Sequence, residues 1–152
     1  MKTSTNPLKF FLLAILVVFG AQMVQAADEP LQVVRNIVMQ NGTNIFRETM
    51  FTVPKNKQLV IEFFSCNYDV PSGQSLFVVL ETDGGGHGLH SFLAAKQGSP
   101  PGQDSFIISQ LVRIFADPGT DVELTAQRIT TAGRVVGGCG FNGQLIDIKN
   151  SK

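Results

Sequence analysis

The residues of this chain whose types and spacing could carry out chemistry are concentrated in residues 83–90 (DGGGHGLH). A carboxylate and two imidazoles, from Asp83, His87 and His90, can hold zinc or copper. On a strand His87 and His90 would lie on opposite faces, so both reach one ion only if Gly88 lies in a turn. Zinc sites usually take three or four protein ligands. We therefore interpret the stretch as a glycine-rich hairpin loop with solvent-facing histidines, and keep the metal site as the alternative.

Other catalytic arrangements are weaker. Ser91, His90 and Asp83 could form a Ser–His–acid set, but such triads are defined by geometry across a fold and are seldom sequence neighbours. The chain contains no G-x-S-x-G motif. The glycines of residues 84–88 are followed by no phosphate-binding lysine and no helix pattern. The sequence predicts a protein that is not an enzyme and has no cofactor.

Acidic residues on predicted strands raise the question of glycoside hydrolysis, which uses a pair of carboxylates. Solvent exposure on the polar face of each strand is the simpler account of these residues, which are Glu48, Glu62, Glu81 and Glu123. Glu62 differs because its neighbours on its face are apolar, and a buried carboxylate without a partner is costly. Arg113 is the partner we expect for it.

The aromatic residues favour a structural role over sugar stacking. Trp is absent, Tyr68 is the only tyrosine, and most Phe residues lie inside predicted strands. Phe has no polar group for the wet edge of a sugar site. Residues 41–43 (NGT) match a glycosylation sequon but are better interpreted as a hairpin turn.

The N-terminus has the three zones of a signal peptide. Lys2 and Lys9 supply the basic start, residues 10–20 are an apolar run, and a polar stretch ends at Ala26. The apolar run is shorter than the roughly 20 residues of a membrane span, so an uncleaved anchor is the weaker alternative. We expect cleavage after Ala26 and a secreted or periplasmic mature chain, residues 27–152, without a membrane span.

The two cysteines, Cys66 and Cys139, are predicted to form a disulfide, because the count is even and the compartment is oxidising. Strict alternation places Cys139 on the same face as Phe141. It places Cys66 with Phe64, on the face opposite to the main apolar set. A bridge across the core then requires a break in register, which residues 137–140 can supply.

The elements that must position these residues are short β-patterned runs separated by Gly and Pro turns, with no amphipathic helix of usable length. Turn chemistry is clearest at residues 54–57 and 117–120. A break is expected in the last run at Gly137 and Gly138. The eight predicted strands are residues 31–40, 46–53, 58–66, 75–82, 89–96, 105–116, 121–130 and 134–148.

This pattern predicts an all-β domain, an antiparallel sandwich or jelly roll, with a closed barrel as the alternative. Twelve basic and twelve acidic residues balance, without a basic run, which argues against nucleic acid as a partner. Several strands are apolar on both faces. Phe64, Phe77 and Phe115 would then form an exposed patch, which predicts a homo-oligomer.

Three stretches resemble small exported bacterial proteins of uncharacterised function with a β-sandwich body. They are residues 53–62 (VPKNKQLVIE), 112–122 (VRIFADPGTDV) and 143–148 (GQLIDI), in that order. The resemblance spans most of residues 46–148 and implies the fold and an exported location. It implies no activity, no site residues and no cysteine pair.

Together these features predict an exported, non-catalytic β-sandwich that acts through its surface as a binding, adhesion or envelope-associated module, with its partner unknown. The alternative is a small metal-dependent enzyme or hydrolase centred on Asp83, His87 and His90. A third interpretation is a ligand-carrying sandwich with an internal apolar cavity.

Overall fold

The computed structural model describes residues 28–82 and 88–148, and within these ranges the chain forms nine strands and no helix. No described segment is therefore a helix that could span a membrane. The predicted signal peptide lies outside the described residues. The strands are β1 (Glu29–Met39), β2 (Ile45–Thr52), β3 (Lys57–Pro71), β4 (Leu76–Thr82), β5 (Gly88–Phe92), β6 (Ala95–Gly98), β7 (Gln103–Ala116), β8 (Asp121–Arg128) and β9 (Val135–Asp147).

The strands form two sheets in which all paired neighbours are antiparallel. One sheet has the order β1-β9-β3-β7-β6 and the other the order β2-β8-β4-β5. With the short β6 set aside, this order is that of a jelly roll, an eight-stranded double Greek key. The predicted antiparallel sandwich or jelly roll is confirmed, and the two sheets do not close into a barrel.

Most predicted strands are present, with three differences. The run predicted at 89–96 is two strands, because the chain leaves the four-stranded sheet after Phe92 and joins the other at Ala95. The strand predicted at 58–66 continues to Pro71. The break predicted at Gly137 and Gly138 is wrong, because β9 is continuous there.

The predicted turns are formed. Lys57 donates its backbone N–H to the Pro54 carbonyl at 3.0 Å, and Thr120 donates to the Asp117 carbonyl at 3.2 Å. Gly119 has a φ of 75°, the left-handed conformation that this kind of turn requires. These short connections fix the register of the strands on either side.

An irregularity at Glu62 decides which side chains of β3 enter the core. The pairing of β3 shifts between Ile61 and Phe63, which marks a β-bulge. The extra residue reverses the alternation, so Ile61 and then Phe64 are both fully buried. The prediction that Phe64 faces away from the core is wrong for this reason. The buried apolar set between the sheets includes Val33, Ile37, Met39, Met50, Leu59, Val78, Leu80, Ile108, Ile114, Val122, Leu124 and Phe141.

The predicted disulfide between Cys66 and Cys139 is confirmed. The two residues are register partners on neighbouring strands, β3 and β9, with their Cα atoms 4.0 Å apart. The bond therefore lies within the five-stranded sheet, and the expected path across the core is wrong. The bulge places Cys66 on the same face as Cys139, so no further break in register is needed.

Candidate functional site

The predicted loop site is only partly within the described residues. Asp83 and His87 lie outside them. His90 lies on β5 opposite the buried Leu80, so it points toward the inner face and is half-buried rather than solvent-facing. This burial lowers the pKa of the His90 imidazole. Among the described residues, no group of three or more His, Cys, Asp or Glu side chains could hold a metal ion.

Ser91 follows His90 on the same strand. Successive strand residues point to opposite faces of a sheet, so this hydroxyl and this imidazole do not share a site. Ser91 is exposed, whereas His90 turns inward. The local Ser–His arrangement considered from the sequence is therefore not formed.

The predicted pair between Glu62 and Arg113 is also not formed. Glu62 lies at the bulge and is exposed, and both of its carboxylate oxygens accept from the Gln144 side-chain amide at 3.3 Å. Arg113 instead lies over the Phe115 ring, with its guanidinium carbon 5.7 Å from the ring centroid. Because the bulge turns Glu62 to solvent, its carboxylate needs no charged partner.

Two other glutamates do meet, on the outer face of the four-stranded sheet. Glu81 on β4 is the register partner of Glu123 on β8. The Arg47 guanidinium lies 3.2 Å from Glu81 and 3.9 Å from Glu123, and Thr125 donates its hydroxyl to Glu81 at 3.0 Å. A recess of about 620 Å³ lies here. Since the guanidinium bridges the two carboxylates, it occupies the space that a scissile glycosidic bond would need.

The remaining large recess is a groove on the outer face of the five-stranded sheet, with a volume of about 570 Å³. Its floor is β9, where the outward positions 138 and 140 are glycines and carry no side chain. Val34 on β1 and Ser65 on β3 flank Gly140, while Asn36 and Asn67 flank Gly138. We call this feature the glycine groove.

Two carboxamides converge in the glycine groove. Asn36 and Asn67 are both exposed, and both are register partners of Gly138. A Cβ atom placed on Gly138 would lie 3.8 Å from Asn36 Oδ1 and 3.9 Å from Asn67 Oδ1. The two amides therefore approach the same point above the floor from opposite sides.

The rest of the groove lining is uncharged. Val34 on β1 and Val136 on β9 are 59% and 40% exposed. Ser109 and the half-exposed Ile107 lie at the β7 side. Of the described residues, those that line the glycine groove include no charged side chain.

The two floor glycines differ in what requires them. A Cβ atom on Gly140 would lie 2.7 Å from the Val33 carbonyl oxygen, so backbone packing demands glycine there. A Cβ atom on Gly138 would meet nothing closer than 3.4 Å, and Gly138 is not among the glycines with positive φ. A glycine inside a strand weakens it by roughly 0.5–1 kcal/mol relative to Ala. Neither packing nor backbone conformation explains why that penalty is accepted at Gly138.

The glycine groove was not predicted, although the sequence carries a signal for it. Gly138 and Gly140 are two residues apart on one predicted strand, and that spacing places both on the same face. The neighbouring Gly137 and Gly138 instead favour a bend when only the local sequence is considered. The side chains that flank the floor come from β1 and β3, and only the strand order brings them there.

The apolar patch predicted for oligomer formation is not continuous. Phe64 is buried in the core, whereas Phe77 and Phe115 are 52% and 49% exposed. Phe77 belongs to the four-stranded sheet and Phe115 to the five-stranded sheet. These two rings lie on the outer faces of different sheets and cannot contribute to one surface.

No protein-family model and no curated protein matches the chain. The chain is similar in structure to the Cyanophage Pam1 capsid protein, with a TM-score of 0.48, 9% identity, and coverage of 84% of this chain and 96% of that one. The Eiger TNF of S. frugiperda gives a TM-score of 0.42 at 10% identity, covering 82% and 98%. The Drosophila NLP core gives a TM-score of 0.33 at 13% identity, with coverage of 76% of this chain and 99% of that one. These likenesses concern the fold alone.

Proposed function

We propose that this protein is an exported, non-catalytic jelly-roll module that binds a ligand in the glycine groove. The observation that carries the proposal is Gly138, a strand-interior glycine that neither packing nor φ requires. Such a glycine is typical of a place where a ligand approaches the backbone closely. The bare floor also leaves room for a ligand between the two convergent amides.

Binding without catalysis is supported by the chemistry of the lining. General acid–base catalysis needs a titratable side chain within reach of the substrate. Asn36, Ser65, Asn67 and Ser109 supply hydrogen-bonding groups that do not titrate near neutral pH. The cysteines beneath the floor are joined in a disulfide and offer no thiolate.

Export is supported by two independent features. The N-terminal zones that end at Ala26 are typical of a signal peptide. A disulfide within the sheet persists in an oxidising compartment. N-terminal sequencing of the protein recovered from the periplasm or the medium should give a chain that begins at Ala27, and an intact Met1 on the exported chain would contradict this part of the proposal.

The binding proposal is tested by filling the groove. Gly138→Val places a β-branched side chain on the floor, whereas Gly98→Val on β6 adds the same group where a Cβ has no neighbour within 4 Å. Amide chemical shifts of ¹⁵N-labelled protein are followed during titration with a library of neutral, hydrogen-bonding fragments. We expect at least one fragment of the library to change the chemical shifts of the amides of residues 34–36, 65–67 and 138–140. The shifts should be lost in Gly138→Val and kept in Gly98→Val.

Unfolding midpoints of the two valine variants that are no lower than that of the wild type exclude a folding defect. A library that perturbs no groove amide overturns the proposal. Shifts that persist unchanged in Gly138→Val overturn it as well, since the ligand would then lie elsewhere.

A further inference from the structure

We infer that the ligand class of the glycine groove is a neutral oligosaccharide, an inference that depends on the proposed function of that groove. The charge of the ligand follows from the side chains that line the groove. No charged side chain lines the groove among the described residues. A phosphate, a sulfate or a carboxylate would find no counter-ion there and would lose its hydration on entering. The ligand is therefore uncharged.

The groove presents hydrogen-bond donors and acceptors side by side. Each carboxamide carries two N–H donors and one acceptor oxygen, and each serine hydroxyl both donates and accepts. Asn36 and Asn67 present these groups from opposite sides of one point above Gly138. Sugar hydroxyls match this arrangement because every one of them is both donor and acceptor. Two amides on one ring can therefore be satisfied together.

The shape of the groove suits a chain of sugar rings. β1 and β3 flank β9, and strand spacing places their axes about 10 Å apart, a width suited to a single row of sugar rings. The apolar carbon face of a pyranose can rest on the bare backbone of Gly138 and Gly140, against the exposed Val34 and Val136. The volume of about 570 Å³ allows a short oligosaccharide rather than one ring alone.

The backbone argues against a peptide as the occupant. Peptides that add to a sheet use the free backbone groups of an edge strand. The floor strand β9 is paired on both sides, with β1 and β3. An extended peptide lying in the groove would find no free backbone partner and would bind through side chains alone.

The glycine groove differs from the aromatic sugar-stacking surface that the sequence argues against. That surface required aromatic rings, and no aromatic side chain lines the glycine groove among the described residues. Amide groups, not rings, supply the recognition here. We therefore expect weaker binding than at an aromatic platform, because ring stacking is missing.

The test is a titration of the ¹⁵N-labelled mature protein with four neutral probes: cellotetraose, maltotetraose, mannotetraose and tetra-N-acetylchitotetraose. The anionic comparison is a heparin tetrasaccharide, and the peptide comparison is a neutral Ser/Ala/Gly hexapeptide. At least one neutral oligosaccharide should shift the amides of residues 34–36, 65–67 and 138–140. The heparin probe and the hexapeptide should not.

Asn36→Ala and Asn67→Ala should each weaken that binding about tenfold, since each removes a hydrogen-bonding group from the site. Asn142→Ala is the matched control. It removes the same kind of side chain from the outer face of the same sheet, on β9 and one row beyond the groove, and should leave the affinity unchanged. Equal losses from Asn142→Ala and Asn67→Ala would contradict the assignment.

The two proposals fail in different ways. If fragments or the hexapeptide occupy the groove and no neutral oligosaccharide does, the saccharide inference is overturned while the binding function stands. Binding of the heparin probe alone overturns the inference in the same way. If no probe of any class shifts a groove amide, both proposals are overturned.

Discussion

Replacing Arg128 by methionine should destabilise the protein strongly, although the side chain does not line the glycine groove. Arg128 ends β8, and it is 2% exposed. Its guanidinium donates five hydrogen bonds to backbone carbonyls. Nε donates to Thr43 at 2.8 Å, Nη1 to Ala132 at 3.0 Å and Gly133 at 3.1 Å, and Nη2 to Gln40 at 2.8 Å and Thr131 at 3.1 Å. One buried cation thus ties the β1–β2 loop (40–44) to the β8–β9 loop (129–134).

The expected loss follows from those bonds. A hydrogen bond to a charged group contributes about 1.5–3 kcal/mol net, so losing all five outright would cost about as much as the whole free energy of unfolding of a typical domain. Loops that loosen let water reach some of the carbonyls, which reduces the loss. We expect about 3–5 kcal/mol, as when one partner of a buried charged network is removed. Arg128→Lys keeps the charge but has only three donors at one point, so about half of that loss is expected.

The assay is urea unfolding followed by far-ultraviolet circular dichroism, since the chain has no tryptophan. Arg134→Met is the control, because Arg134 is exposed and its loss should change the free energy of unfolding by no more than about 0.5 kcal/mol. Amide hydrogen exchange in residues 40–44 and 129–134 should accelerate in Arg128→Met. A free energy of unfolding within about 1 kcal/mol of wild type would refute the reasoning, since an apolar isostere would then replace the guanidinium at little cost.

Four further predictions concern single features of the fold. A Cβ on Gly143 would overlap a neighbouring carbonyl, so Gly143→Ala should lose about 1–3 kcal/mol in thermal unfolding, while Gly98→Ala should be neutral; equal midpoints would contradict this. Replacing both cysteines by alanine removes a crosslink between positions 73 residues apart and should lower the free energy of unfolding by about 4 kcal/mol in the chain-entropy model. A loss under about 1 kcal/mol would contradict this prediction. Burial raises the pKa of Tyr68, the only tyrosine, to about 12, so the absorbance titration of its phenol in the folded protein should have a midpoint near 12. The free energy of unfolding should fall as the pH rises above 10, and a titration midpoint at 10 would contradict the burial. Hydrogen bonds from the Lys96 ammonium and, to a smaller extent, from the Gly73 amide lower the pKa of Asp104 to about 2, so the Asp104 carboxylate stabilises the fold above pH 3.8 and this stabilisation is lost as the pH falls toward 2. Asp104→Asn should therefore weaken the fall of the free energy of unfolding in acid, and an unchanged fall would refute the prediction.

Local signals in the chain were sufficient for the fold class and for several elements. Turns at residues 54–57 and 117–120 were predictable because Pro and Gly act through their own φ angles. The disulfide was predictable from an even cysteine count in a chain with a predicted signal peptide. The signal peptide ending at Ala26 stays a prediction, because it lies outside the described residues.

Predictions that needed partners across strands were less successful. The Glu62 and Arg113 pair failed because alternation was extended through a bulge that only the pairing of β3 with its neighbours reveals. The same bulge accounts for the wrong face given to Phe64. A bulge inserts one residue into one strand, and the flanking residue types do not mark it uniquely.

The sequence by itself determined that this protein is built of antiparallel strands joined by tight turns, because alternation and turn chemistry act between residues close in the chain. The tertiary structure alone decided that β9 lies between β1 and β3. That order brings Asn36 and Asn67 together over Gly138, although Asn36 and Gly138 are more than a hundred residues apart in the chain. Strand order is set by how two whole sheets bury their apolar faces, and no local pattern contains that information.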